Sequence, residues 1–309
     1  MSSLTLPSFA KINWMLKILG RREDGFHELR TVFQTLELHD RLTFHAGEAS
    51  SGQASLKLSG RGIDVPLDES NLVCRAAQAL IPQARRPQAV EAELDKRIPL
   101  GAGLGGGSSN AAVTLMALNR LWDCGLGPNQ LSRLAAELGS DVPLFLSGGT
   151  VAGGGRGEIL QPLDDLPFRQ PLILIYPDLH ISAAEAYRMG DWGRFQGPAR
   201  LTSLRSDTTI QRFCRAAEAR ERLWAVLEND FDDLLYASFP LLRGMRELLE
   251  ESGCGKVLIS GSGSTVAGLT VPGQVEEVLE KVRGDAAGTV FSTRPVGRRE
   301  YRTRLQRVY

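Results

Sequence analysis

The residues of this sequence whose types and spacing could do chemistry are concentrated in one glycine-rich stretch, 98–112. Five glycines fall within residues 101–107, and Ser108, Ser109 and Asn110 follow them before a run rich in Ala, Leu and Met. Glycine lets a backbone approach an anion closely, and the first turn of a helix directs unpaired N–H groups and about half a positive charge at whatever binds there. The stretch therefore predicts a phosphate-binding loop that opens into a helix.

Other interpretations fit parts of this stretch. The spacing of Gly101, Gly103 and Gly106 matches a dinucleotide-binding fingerprint, but that fold needs a second strand after the helix, and another helical pattern follows instead. The ATPase loop motif Gly-Lys-Ser/Thr is absent, because Ser108 directly follows Gly107. A tight glycine turn packed under a helix, without any ligand, stays open as an alternative.

Single polar residues elsewhere are ambiguous when each is taken alone. Asp141 lies at the start of an apolar segment, where a carboxylate is costly unless it is paired or used, but a helix or turn cap would also explain it. Lys11 and Asn13 alternate with apolar residues and share one face of a predicted strand, which we expect to face solvent. Phe26, in a charged loop, is predicted to be a packing residue rather than a stacking platform.

The elements that must position these residues follow from periodicity and turn signals. Residues 164–171 are acidic and contain proline, and there we place the boundary between two lobes, 1–164 and 165–309. In the first lobe we predict strands over 4–19, 30–44, 55–58, 90–94 and 158–163, a loop over 20–29, and helices over 71–80, after the glycine-rich stretch and over 128–138. This order favours an α+β lobe over a doubly wound one.

The second lobe begins with the apolar run 172–176, which predicts a buried strand. Further strands are predicted over 256–259 and 266–271, on either side of a glycine-rich turn, and helices over 183–188, 208–227 and 240–251. The Arg-rich segment 298–307 is predicted to be a solvated tail or an edge strand.

Composition narrows the class of protein. The chain has 309 residues with 36 basic and 36 acidic side chains, and a net charge of zero argues against a protein whose main task is to bind nucleic acid. No leader-like segment or uninterrupted apolar span of membrane length is present, so we expect a soluble cytoplasmic protein. The four cysteines have neither zinc-site nor disulfide spacing, and ordinary packing roles are expected for them.

Taken together, the motifs resemble the GHMP family of small-molecule kinases over essentially the whole chain. The resemblance rests on the glycine-rich stretches 99–112, 148–157 and 260–264, on Ala10-Lys11-Ile12-Asn13, on Arg22-Glu23-Asp24-Gly25-Phe26-His27-Glu28-Leu29 and on Gly139-Ser140-Asp141-Val142-Pro143. In the members that it resembles most, a proline stands in place of Phe9 and a tyrosine in place of Phe26. The ring at position 26 is therefore kept and one hydroxyl is lost.

The resemblance implies a two-lobed α+β fold. Its N-terminal lobe is similar to ribosomal protein S5 domain 2 and binds ATP, and its C-terminal lobe is an α/β sandwich that completes the substrate site. The implied reaction is transfer of the γ-phosphoryl group of ATP to the 2-hydroxyl of 4-diphosphocytidyl-2-C-methyl-D-erythritol, in the non-mevalonate route to isoprenoid precursors. Mg²⁺ would be held mainly through the phosphates, with no metal site made by the protein itself, and the chain would be a monomer or weak homodimer.

Roles for individual residues follow from the same resemblance. Asp141 would accept the hydroxyl proton as general base, and Lys11 would keep Asp141 ionised and polarise the hydroxyl. Cytosine would stack on Phe26 and Tyr187, while His27 and Asn13 would form hydrogen bonds with the substrate, which Asp141 also contacts. Ser109 would add a hydroxyl ligand for phosphate or magnesium, and Asn71 and Lys96 would lie near the adenine. The implied ATP-binding residues are Asn71, Lys96, Pro99, Gly101, Ala102, Gly103, Leu104, Gly105, Gly106, Gly107, Ser108 and Ser109.

Alternatives remain within and beyond the family. Another GHMP kinase, acting on a sugar, a mevalonate-like acid or homoserine, would not bring Phe26, His27 and Tyr187 together in a base-sized pocket. A non-catalytic binding protein on the same scaffold, or a nucleic-acid-binding relative of the α+β lobe, would not need Lys11 and Asp141.

Overall fold

Two long antiparallel strands organise the first half of the molecule. The computed structural model describes residues 2–47, 53–166, 170–197, 203–218, 224–271 and 273–306. Within them, β1 (Ser2–Arg21) pairs with β2 (His27–Ala46) along nearly its whole length. The loop predicted over 20–29 is shorter than expected, because β1 continues to Arg21 and β2 begins at His27. The backbone N–H of Arg21 also donates to the carbonyl oxygen of Gly193.

The first sheet is built around this pair and has the order β3-β4-β2-β1-β8, with β5 on β2 and β6 on β5. The added strands are β3 (Ser55–Gly62), β4 (Ala89–Lys96), β5 (Thr150–Gly154), β6 (Ile159–Pro162) and β8 (Glu228–Asn229). The helices of this half are α1 (Leu72–Leu80), α2 (Gly106–Leu121), α3 (Pro128–Leu138) and α4 (Leu144–Ser147). Because α2 contacts both β1 and β2, its buried apolar side chains share one core with the sheet.

The second half has a four-stranded antiparallel sheet of order β11-β7-β10-β9. Its strands are β7 (Leu172–Tyr176), β9 (Lys256–Ile259), β10 (Val266–Leu269) and β11 (Thr289–Thr293). Its helices are α5 (Ala183–Met189), α6 (Thr208–Glu218), α7 (Asp232–Ser238), α8 (Pro240–Glu251) and α9 (Val275–Asp285). Helices and sheets of both halves confirm the predicted α+β class.

Two predictions for this half are wrong in extent or kind. Of the helix predicted over 208–227, α6 covers Thr208–Glu218 and residues 219–223 lie outside the described residues, whereas residues 224–226 form a short 3-10 turn. β8 follows that turn because Glu228 and Asn229 pair with Met15 and Leu16 of β1. The Arg-rich segment is a helix, α10 (Arg298–Arg304), where a solvated tail or edge strand was expected. Tyr301 of α10 and Leu305, the residue after its last one, lie four residues apart on the same face. Both are buried in the core of the first half.

Two separate segments of the second half of the chain therefore pack on the first half. The hydroxyl of Tyr301 donates to the carbonyl oxygen of Phe145 at 2.5 Å, and its ring lies 5.1 Å from that of Phe9. β8 adds a piece of the second half to the edge of β1. The lobe boundary between residues 164 and 165 stays a prediction. After it, β8 and Tyr301 return to pack on the first half of the molecule.

Two further sequence predictions concern single features. All four cysteines are free thiols, two of them buried, as expected from their spacing. Among the helices in the described part of the chain, none is both long and apolar enough to cross a membrane.

Candidate active site

A cleft of about 980 Å³ lies between the two halves, and half of the residues predicted for the site line it. One wall is formed by Gly103, Gly105 and Ser108, where the glycine loop, residues 99–105, leads into α2. Another is the turn between β1 and β2, and a third is α5 with the segment that follows it. The residues predicted for the site that line this cleft are Lys11, Asn13, Phe26, His27, Gly103, Gly105, Ser108, Asp141 and Tyr187.

The glycine loop is packed directly against the second half. Gly101, Gly103 and Gly105 all have left-handed φ angles, of 61°, 73° and 69°. A Cβ atom on Gly103 would overlap the carbonyl oxygen of Ser260, whose hydroxyl donates to the Gly103 carbonyl at 3.0 Å. Only glycine combines this conformation with so close a contact, so the turn after β9 fixes the shape of the loop.

This packing predicts that Gly103→Ala lowers the affinity for ATP by about tenfold or more, since a left-handed non-glycine residue costs about 1–2 kcal/mol before any displacement of the loop. Calorimetric titration with a non-hydrolysable ATP analogue would measure it. Gly244→Ala is the control, because a Cβ at this helical position of α8 meets nothing within 4 Å. Unchanged nucleotide affinity in Gly103→Ala would show that the loop does not bind the nucleotide.

Lys11 and Asn13 are buried, with 4% and 2% of their surfaces exposed, so the expectation that they face solvent is wrong. The reason is the cover on that face of β1: a Cβ on Gly261 would lie 3.0 Å from the Lys11 ammonium, and one on Gly105 would lie 3.0 Å from its Cγ. The ammonium donates to Asn13 Oδ1 at 2.8 Å, and the Asn13 amide donates to Thr31 at 2.7 Å. The lysine is thus held in one orientation.

Asp141 lies across from Lys11, with its Oδ2 atom 3.6 Å from the Lys11 ammonium. Its side chain is about one third exposed, towards the cleft. The position is not a helix cap, because α3 ends at Leu138 with Gly139 as its cap, and α4 begins at Leu144 with Pro143 as its cap. Burial lowers the pKa of Lys11, and the Asp141 charge opposes that shift. The pair therefore places a carboxylate and a desolvated ammonium beside the glycine loop.

Aromatic side chains form the other end of the cleft. The rings of His27 and Tyr187 stack with centroids 4.6 Å apart and planes 10° apart, and Phe231 supports Tyr187 edge-on at 5.0 Å. Burial and the nearby charge of Arg21 lower the pKa of His27, which favours the neutral imidazole. Phe26 is 52% exposed at the tip of the β1–β2 turn, so the expectation of a packing residue is wrong. This end suits a planar, polar ligand group.

Other residues predicted for the site are engaged away from the cleft lining. Asn71 caps α1, accepting from the Val73 N–H at 2.9 Å. Ser109 is fully buried and accepts from the Ser8 hydroxyl at 2.8 Å, whereas Ser108 is the hydroxyl on the cleft. Lys96 is buried in an ion pair with Asp40. Pro99, Gly101, Ala102, Leu104, Gly106 and Gly107 are absent from the described cleft lining. Their roles in ATP binding remain predictions.

Asp40, on β2, is a functional candidate that the sequence analysis did not name. It is fully buried, and its Oδ1 atom accepts from the backbone N–H groups of Arg97 and Ile98, both at 2.8 Å. Its Oδ2 atom accepts from the Lys96 ammonium at 2.6 Å and from the Asn110 amide at 2.9 Å. One carboxylate thus ties the entry of the glycine loop to the first turns of α2. The sequence offers no clear signal for it, because Asp40 stands between His39 and Arg41 in a strand with many polar residues.

The arginines of the cleft were also missed. Arg21, Arg156, Arg188 and Arg194 all line it. Over the described residues, no group of three or more His, Cys, Asp or Glu side chains is arranged to hold a metal ion. The charged groups that a ligand meets at the aromatic end of the cleft are mainly these guanidinium groups.

Two family models match this chain. The model described as "GHMP kinases N terminal domain" matches residues 71–149, which include the glycine loop and Asp141. The model described as "GHMP kinases C terminal" matches residues 204–287, which include the turn that packs on Gly103.

Individual proteins match over most of its length. A protein of Moorella thermoacetica named 4-diphosphocytidyl-2-C-methyl-D-erythritol kinase is 40% identical over 275 residues, covering 89% of this chain and 92% of its own. One of the same name from Chlorobium phaeobacteroides is 41% identical, covering 87% and 90%. A crystal structure of 4-(cytidine 5'-diphospho)-2C-methyl-D-erythritol kinase superposes with a TM-score of 0.76 at 33% identity, covering 95% of this chain and all of that one. A homoserine kinase from Cytophaga hutchinsonii, at 16% identity and a TM-score of 0.66 over 95% of each chain, shares the fold.

Proposed function

Because this chain belongs to the GHMP kinase family, as the sequence predicted, we propose that it transfers the γ-phosphoryl group of ATP to the 2-hydroxyl of 4-diphosphocytidyl-2-C-methyl-D-erythritol. Relatives that carry the name of this kinase are about 40% identical over most of the chain. The observation that carries the proposal is one cleft with two ends. The Lys11–Asp141 pair lies beside the glycine loop, and Phe26, His27 and Tyr187 converge on the opposite end.

Asp141 is the proposed general base. Phosphoryl transfer needs little covalent chemistry from the protein, and the demands are an aligned hydroxyl and neutralised phosphate charge. A carboxylate that opens to the cleft can accept the hydroxyl proton as the oxygen attacks phosphorus. Lys11, with its ammonium 3.6 Å from Asp141 and fixed by Asn13, can donate to the reacting oxygen.

The phosphates are proposed to bind at the glycine loop and the start of α2. The backbone N–H groups of residues 103–108 and the positive end of the α2 dipole supply the attraction, whereas the Ser109 N–H donates to the Gly105 carbonyl oxygen. The Ser108 hydroxyl adds a donor on the cleft. Asp141 is a single carboxylate beside the loop, which suits a magnesium ion held mainly through the ATP phosphates. The magnesium ion would neutralise the phosphate charge.

The acceptor is proposed to enter with its cytosine at the aromatic end. Phe26 offers a half-exposed ring for stacking, and Tyr187, held between His27 and Phe231, is the second ring. His27 and Asn13 offer polar atoms to the base and to the methylerythritol group. The diphosphate of such a substrate would lie between the stacked cytosine and the methylerythritol group, whereas mevalonate or homoserine has no base for the aromatic end.

We further propose a cytoplasmic enzyme that acts on small molecules, as a monomer or weak homodimer, without nucleic-acid or membrane partners. A net charge of zero and four free thiols support this assignment, since such thiols suit a reducing compartment.

An acceptor panel tests the proposed reaction. ATP-dependent phosphorylation is measured with 4-diphosphocytidyl-methylerythritol, methylerythritol phosphate, mevalonate, homoserine and galactose, and we expect turnover only with the cytidine compound. Preference for another acceptor would remove the cytosine site and keep the kinase. Absence of turnover on every acceptor would favour the non-catalytic binding protein.

A further inference from the structure

Arg156 lies at the aromatic end of the cleft, in the turn between β5 and β6. Its guanidinium carbon is 4.6 Å from the centroid of the Phe26 ring, within the range of a cation–π contact. Both residues line the cleft, although they come from turns that are more than a hundred residues apart in sequence. The family resemblance includes the stretch 148–157 but gives Arg156 no role.

The terminal nitrogens of Arg156 are free to bind a ligand. Within the described ranges, its one ion pair is a 3.9 Å contact from Nε to Glu158, and its guanidinium makes no hydrogen bond. Glu158 is held by the backbone instead, because its Oε2 atom accepts from the Arg156 N–H at 2.6 Å. A guanidinium that is anchored by a ring, with its remaining donors unpaired, is suited to planar recognition of phosphate.

Phe26 is in turn fixed at its backbone. Its N–H donates to Asp24 at 3.1 Å, and its carbonyl accepts from the Arg22 N–H at 2.7 Å. With Arg156 over one face of a ring that is half exposed, the opposite face is the one available to a base. The contact therefore sets the orientation of the platform as well as the position of a positive charge.

We propose that Arg156 is a specificity-determining residue for the acceptor, which holds the Phe26 ring for stacking and donates to the diphosphate next to the stacked base. This inference rests on the proposed function. The neighbouring guanidinium groups of Arg21, Arg188 and Arg194 add to the positive charge of the same wall. The carboxylates of Asp141 and Asp191 line the same cleft and offset part of that charge. Acceptors without a diphosphate gain nothing from this residue.

The experiment compares wild type, Arg156→Ala, Arg156→Lys and Phe26→Ala in steady-state kinetics and thermal melting. We expect Arg156→Ala to raise KM for the cytidine acceptor about tenfold, with KM for ATP and Tm unchanged, and Arg156→Lys to recover part of the loss through its charge. The matched control is Arg133→Ala, an exposed arginine of α3 whose side chain donates to the Asn129 carbonyl of its own helix.

Calorimetric titration with CDP and with cytidine separates the two contributions. We expect Arg156→Ala to weaken CDP binding about tenfold and cytidine binding by less, and added salt to narrow the difference. The combined Arg156→Ala and Phe26→Ala variant should lose less than the product of the single losses, because the two side chains act together.

Two results overturn the inference. One is an acceptor KM within about twofold of wild type in Arg156→Ala, and the other is an equal loss of CDP and cytidine binding. Failure of the proposed function gives a different result, since wild type would then not phosphorylate the cytidine compound at all. The CDP titration still tests Arg156 in that case.

Discussion

Asp141→Asn is expected to lower kcat by about 10²- to 10⁴-fold, the usual contribution of a positioned general base. The amide keeps the size of the side chain and its place in the turn between α3 and α4, but it cannot accept the proton of the acceptor hydroxyl. Affinity for ATP should change little, because the glycine loop is held by Ser260 and not by Asp141. Single-turnover kinetics with 4-diphosphocytidyl-methylerythritol would measure the chemical step directly.

Two comparisons make this result specific. Glu137→Gln removes an exposed carboxylate from α3, four residues before Asp141, and should keep wild-type kcat. Lys11→Met should also lower kcat, and the double variant should be little worse than Asp141→Asn alone, because groups that act as a unit are not additive. A kcat within tenfold of wild type in Asp141→Asn would remove Asp141 from the role of base.

The sequence was most informative where chemistry depends on a local conformation. The left-handed glycines and the start of α2 lie within one short stretch, so a glycine loop that opens into a helix could be predicted from 98–112 alone, while phosphate binding there stays a prediction. The family resemblance added Asp141, whose local signal also fitted a cap. The apolar run 172–176 was recognised as a buried strand for the same reason, since its own residues decide its burial.

Features that depend on distant parts of the chain were missed. Lys11 and Asn13 show the alternation of a half-exposed strand, and their burial comes from Gly261, about 250 residues later. The Arg-rich C-terminal segment has the composition of a solvated tail. It is a packed helix because the Tyr301 ring lies against Phe9 and its hydroxyl donates to the Phe145 carbonyl oxygen. Periodicity describes an element, but not the surface that will cover it.

Asp40 is the clearest case, and it carries the second large prediction. Asp40→Ala should lower the free energy of unfolding by about 3–5 kcal/mol, because it leaves the buried Lys96 ammonium without its partner. Burial already lowers the pKa of Lys96, and the Asp40 charge opposes that shift. Chemical denaturation would measure the change. Glu93→Gln, which breaks an exposed pair with Arg61, should cost less than about 1 kcal/mol.

A double variant separates stability from positioning. Asp40→Leu with Lys96→Met replaces the buried pair by apolar side chains and should recover much of the lost stability. It should not recover ATP affinity, because the backbone N–H groups of Arg97 and Ile98 and the Asn110 amide still lack the carboxylate that holds them. If the double variant bound ATP like wild type, Asp40 would be a packing residue only. Loss of affinity with stability restored would show that ATP binding needs the buried Asp40–Lys96 pair itself and not only the stability that it supplies.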